Sequence, residues 1–152
     1  MTSKEIALNV MYKQGKADAQ DLQTRAAEMD GTELYSEKQV IPDFQAAKAA
    51  KNMLERSIGF VCRSTAGRVV KLLQVYDSNT YPQEPEELAA QWGFVWSTNS
   101  EDALPFVALS TSPYMKGDYC LNNAGEPKRS TLDNNVWSPD TNPEFWEDPP
   151  AE

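Results

Sequence analysis

Glu84, Glu86 and Glu87 stand together in the stretch PQEPEEL. Paired carboxylates are what glycoside hydrolysis uses, one acid on each side of the scissile bond. A charged loop interrupted by Pro82 and Pro85 reads instead as solvated surface, with no nucleophile or base beside it. The chain has no histidine, so the commonest general base and the commonest metal ligand are both missing. Its serines and threonines have nothing to activate them, and no Gly-rich phosphate loop is present. Two cysteines, Cys62 and Cys120, do not make a zinc site of the usual cysteine and histidine kind. The expectation is a non-enzymatic protein with no cofactor and no metal.

What remains is recognition chemistry. Trp137 lies in LDNNVWSPD, with Asn134, Asn135 and Asp140 close by in the chain. An aromatic ring in a loop among hydrogen-bonding side chains can serve as a ligand platform. It can also close one end of a β module or pack in a subunit interface, where tryptophan is enriched. Tyr114, before Met115 and Lys116, supplies a second ring or seats a linker on the module. Trp92 and Trp146 are expected to be structural anchors of the core.

A formal net charge of -9 over 152 residues argues against a nucleic-acid partner, because phosphate contact needs a basic stripe. No apolar run approaches the roughly 20 residues that cross a bilayer, so no membrane insertion is expected. The start of the chain shows no basic region leading into an apolar one, and so no export signal is expected.

The elements that position these residues are announced by a repeat. GFVCRSTAG at Gly59 and GDYCLNNAG at Gly117 share the frame G-x-x-C-x-x-x-A-G. Each copy runs glycine, strand, turn, strand, Pro-bearing loop and tryptophan. Tyr81-Pro82 answers Ser138-Pro139, and Trp92 answers Trp146 after a net loss of four residues. Apolar and β-branched runs on either side of a glycine turn predict a hairpin in each copy. Cys62 and Cys120 occupy equivalent places in separate units and are expected to be buried thiols rather than a disulfide. Units this small bury little core alone, so each is expected to lean on its tryptophan and on its sister.

The N-terminal portion has a different texture. Thr2 and Glu5 have the spacing of a capping box before Ile6, Val10 and Met11. Gly15 ends that helix, and a second starts near Asp18 with Leu22, Ala26 and Met29 on one side. The stretch DGTELYSEKQVIPDF reads as a connector, and QAAKAAKNMLERS as one more short helix.

The segment SPYMKGDYCLNNAGEPKRSTLDNNVWSPDTNPEFWED resembles the small chitin-binding carbohydrate-binding modules of families 5 and 12. The pattern is met by Tyr114, Gly117, Asp118, Gly125, Pro139, Pro143 and Trp146, and more loosely by Gly59, Gly67, Pro82 or Pro85, and Trp92. Together with MDGTELYSEKQVIPDF, the chain is similar to tail-associated fibre or baseplate proteins of bacteriophages and prophages. The resemblance implies sugar rings stacked on exposed aromatics: Trp137, Tyr114 and Tyr119 in the second copy, Tyr81 and Tyr76 in the first. It implies a virion component assembled in the host cytoplasm, with other virion proteins and a host cell-surface polysaccharide as partners. It also implies a homo-oligomer, for which phage fibres suggest a trimer. Neither GEPKRST nor GRVVKLL carries the second-strand aromatic common in that family, which favours the alternative of a purely structural virion module.

The fold expected is mainly β with a helical N-terminal portion and two tandem small β modules. The helical region and connector take residues 1–58 and the first module 59–96. A linker at 97–113, the second module at 114–148 and a tail at 149–152 complete the chain.

Overall fold

The computed structural model describes residues 18–150. The helix expected after Thr2 lies outside them. Two three-stranded antiparallel sheets follow a set of short helices, which is the expected fold class. The first sheet has the order β1 (Val61–Arg63), β2 (Val69–Leu72), β3 (Trp92–Phe94). The second has the order β4 (Tyr119–Leu121), β5 (Pro127–Ser130), β6 (Trp146–Glu147).

The two sheets repeat each other in register, the last ladder of the second being one pair shorter. Cys62 pairs with Val70, and Cys120 with Lys128. Leu72 pairs with Trp92, and Ser130 with Trp146. The Gly59 amide donates to Leu72 O at 2.7 Å, and that of Gly117 to Ser130 O at 2.9 Å. Both glycines need φ near +95°, a region costly for residues with a Cβ: Gly59 has φ 93° and Gly117 95°. The four missing residues fall just before the last strand. The 3-10 turns Pro85–Glu87 and Pro143–Phe145 still match, but the second leads directly into Trp146.

The repeat also begins earlier than Gly59 and Gly117. Asp43 forms an isolated parallel bridge with Arg63, and Pro105 forms the same bridge with Leu121. The next residues, Phe44 and Phe106, each set a ring edge-on to their module's tryptophan: Phe44 to Trp92 at 5.7 Å and 85°, Phe106 to Trp146 at 6.0 Å and 86°. Residues 105 and 106, read from the sequence as linker, therefore belong to the second unit.

Each sheet buries the face that carries its cysteine and tryptophan, and the two faces share one core. Phe94, Trp96, Tyr114 and Phe106 form a column of near-parallel rings, with centroids 6.0, 4.1 and 5.5 Å apart along it. The column starts in the first module and ends in the second. Arg68 adds a polar tie, donating from Nη2 to Pro105 O at 2.6 Å while Nη1 pairs with Glu86 at 3.3 Å.

The opposite face of the first sheet is covered by helices. Residues 18–25 form α1, and α2 (Gly31–Ser36) follows a short 3-10 turn. Leu22, Ala26, Leu34 and Tyr35 pack on Val61 and Val69. Gln23 closes the free edge of β1, its amide donating to Val61 O at 2.7 Å and accepting from Val61 N at 2.9 Å. A capped edge does not recruit stray strands. The connector is thus partly helical, contrary to expectation, because Asp30 and Glu33 form a reciprocal capping box. Gly31 starts α2 so close to the first module that an added Cβ would lie 2.0 Å from Trp96 O. A third helix, α3 (Phe44–Ala50), brings Phe44 into the core. Among the described residues, no helix is long and apolar enough to cross a membrane.

Candidate ligand-binding loop

The segment between β5 and β6 is built around Asn135, which is fully buried. Its main chain exchanges two hydrogen bonds with Tyr114, at 3.0 and 2.8 Å. The side-chain amide donates to Ser130 Oγ at 3.0 Å and Phe145 O at 3.2 Å, and its oxygen accepts from Trp137 N at 3.2 Å. A buried amide with this many partners fixes the loop, since leaving any of them unpaired is costly. Asn134 just before it adopts φ 56°, a conformation that asparagine tolerates better than most residues.

Trp137 is held out from this support, 42 % exposed. Its ring leans on Phe145 at 5.0 Å and 47°, and its carbonyl oxygen accepts from the Trp146 indole N–H at 2.7 Å. Met115 is exposed to the same extent, and its sulfur accepts from Asn134 N. The far side of the loop borders a cavity of about 230 Å³ lined by Lys128, Pro139, Pro143, Trp146, Glu147 and Asp148. Lys128 and Asp148 form an ion pair across it. A rigid indole face with an apolar neighbour can hold the apolar face of a ring-shaped ligand.

The matching loop of the first module presents Tyr81, 53 % exposed. Asp77 orders that loop by accepting from Asn79 N and Thr80 Oγ1, while Lys48 Nζ donates to Pro82 O. The Asp77 carboxyl is held below the usual carboxylate range, first by the Asn52 amide that donates to it. Each module therefore offers one exposed aromatic from its last loop.

Three other aromatics expected to stack on ligand are core residues, which corrects the role given to them. Tyr114 is 1 % exposed, its two faces covered by Trp96 and Phe106 in the inter-module column. Tyr119 and Tyr76 are buried as well. Tyr76 is turned inward because its hydroxyl accepts from the Trp92 indole at 2.9 Å. Trp92 and Trp146 are buried at equivalent places in the two sheets. Asn135 is marked in the sequence as a polar neighbour of Trp137, whereas Phe145 and Met115 belong to the loop's machinery without a sequence signal of their own.

Two of the three acids singled out in the first module are structural in their contacts, and the third, Glu87, is exposed. Glu84 accepts from Thr65 N at 2.8 Å and from the Gln45 amide, and Glu86 pairs with Arg68. Among the described residues, no group of three cysteine or acidic side chains could hold a metal ion. Both cysteines are free and buried. Burial pushes the Cys62 thiol well up, and that of Cys120 to about 12. No family model, no curated protein and no solved structure matches the chain.

Proposed function

We propose that this chain is a non-enzymatic recognition component of a bacteriophage virion, associated with a tail fibre or baseplate, that holds a bacterial surface glycan against Trp137. The observation that carries the proposal is the exposed Trp137 ring standing on a loop anchored by the buried Asn135 side chain and by the indole of Trp146. A pyranose presents an apolar C–H face that a rigid aromatic plane desolvates at low entropic cost. Tyr81, on the equivalent loop, gives a second and weaker contact, so that two modest sites on one chain add through effective concentration.

The test is retention on host cell-wall fragments and chito-oligosaccharides by wild type, Trp137→Ala and Tyr81→Ala. Loss of retention in Trp137→Ala, with its melting temperature within a few degrees of wild type, supports glycan recognition. Equal retention by wild type and both variants, or none by wild type, removes it.

A second reading is favoured by the burial of Tyr114, Tyr119 and Tyr76, which leaves one exposed ring per module rather than a shared aromatic platform. In that reading the modules are structural, joining or decorating a fibre or capsid, and Trp137 meets a virion protein. Trp137→Ala would then lower incorporation into particles and leave glycan retention unaffected.

A further inference from the structure

The two modules act as internal controls for each other, and one corner distinguishes them. In the first module, Leu54, Ile58, Leu73 and Val75 are 54, 71, 48 and 40 % exposed. They lie on two facing segments. Gly59 N donates to Leu72 O at one end, and Met53 N donates to Ser78 Oγ at the other. The repeat places Lys116, Thr131 and Asp133 of the second module where Ile58, Leu73 and Val75 stand in the first. There the corner is polar, with Lys116 N donating to the Asp133 carboxylate at 3.0 Å. The module fold therefore does not require apolar side chains at this corner, and in the first copy they face solvent.

Beside the corner lies a cavity of about 350 Å³, bounded by Gln23, Ala27 and the segment from Glu55 to Phe60, with Lys51 on its wall. Ile58 stands at its edge, so a protruding apolar side chain and a hollow occupy one surface. The charges are likewise mixed. Lys51, Glu55 and Arg56 all line the cavity, and none of them makes an ion pair among the described residues. Arg56 instead lies over the Phe60 ring at 4.4 Å and donates to Ala47 O at 3.0 Å.

We infer that this corner is an isologous interface with a second copy of the same chain. A two-fold axis brings each surface against itself. Knob then meets hollow twice, with Ile58 of each copy seated in the other's cavity, and Glu55 of each meets Lys51 of the other. A partner of a different kind would need only one of these features. Their presence together on a single patch is what self-complementarity requires. The interface leaves the Trp137 loop of both copies free, and it does not depend on what that loop binds.

Sedimentation velocity over a concentration series tests this on the full chain. Wild type is expected to reach dimer mass. The triple variant Ile58→Lys, Leu73→Thr, Val75→Asp, which places the second module's residues in the first, is expected to dissociate at least 100-fold more readily. Its circular dichroism should match wild type, and its melting temperature should match that of wild type at a dilution where wild type is monomeric. A second experiment does not depend on apolar replacement: Glu55→Lys and Lys51→Glu each weaken association alone, and an equimolar mixture of the two restores it. The inference is overturned if wild type stays monomeric to about 1 mM, if the variants associate as wild type does, if the mixture fails to recover, or if the only assembly is a trimer.

Discussion

The indole N–H of Trp146 donates to the carbonyl oxygen of Trp137 at 2.7 Å, tying the exposed aromatic ring of the second module to its buried one. The surface loop is thereby set by the core. Replacing Trp146 with phenylalanine removes this bond and leaves space beside Phe106 and Tyr114, which meet the indole edge-on. The expected cost is about 2–3 kcal/mol of stability. Trp137→Ala, at a half-exposed site, should cost less than about 1 kcal/mol. Urea denaturation of both variants measures the contrast, and equal losses would show that the loop tryptophan is itself core.

Asn135 is the positioning residue of the same loop. Asn135→Ala takes the acceptor from Trp137 N and one of two donors from Phe145 O, which keeps Thr131 N, at a cost of about 1–3 kcal/mol. Its signature is loss of order in Trp137. The near-ultraviolet circular dichroism and quencher accessibility of that ring should change, and Asn135→Asp should recover part of the change because it keeps the acceptor for Trp137 N.

Asp118 supplies a pH dependence. Burial raises its carboxyl to about 6 from the usual 3.8, opposed by the Met115 amide that donates to it and reinforced by Asp133. Between these values the folded chain binds more protons at this site than the unfolded chain does. Its contribution to stability is therefore greatest below about pH 4 and is lost as the pH rises through about 6. Asp118→Asn keeps an acceptor for Met115 N without the charge. It should be more stable than wild type at pH 7 and show a flatter profile from pH 4 to 6, measured by thermal unfolding at each pH.

The raised thiols of Cys62 and Cys120 predict chemical silence. A thiol reacts as its thiolate, and both groups are buried and driven toward the neutral form. In the native protein at pH 8, a disulfide reagent should titrate neither within an hour, and after urea unfolding it should titrate both. Rapid native reaction of either would place that thiol at the surface.

Arg68 joins the modules and is almost wholly buried, with a half-buried acid, Glu86, as its partner. Arg68→Met should cost about 3 kcal/mol, because it leaves Glu86 unpaired and Pro105 O without a donor. The double change Arg68→Met, Glu86→Gln should recover part of that loss. A double-mutant cycle by denaturant unfolding gives the coupling.

Much of this architecture was legible in the residues. The repeated glycines mark positions where φ is positive, and the strand pairings fall at a constant offset, so both hairpins and both closing tryptophans can be read from spacing. Phe44 and Phe106 escaped because the upstream arm has a different offset from the hairpins and shares little beyond a phenylalanine near a proline. α2 escaped because the stretch that opens with Asp30-Gly31 reads as a connector, whereas Asp30, with Glu33, starts a helix. The aromatics of the proposed site divide for a reason that spacing does not carry. Tyr114 faces inward because the second sheet must meet the first, a contact between elements remote in the chain. Trp137 faces outward because Asn135 beneath it has taken the buried place.

The ring column from Phe94 through Trp96 and Tyr114 to Phe106 means that neither module owns its own interior. A break in the chain between residues 96 and 106 would open both cores at once, so a viable fragment containing one module is not expected. If the two units arose by duplication, the column marks the point after which they ceased to be separable. From then on, recombination could exchange the pair as a cassette but could not shuffle one member alone.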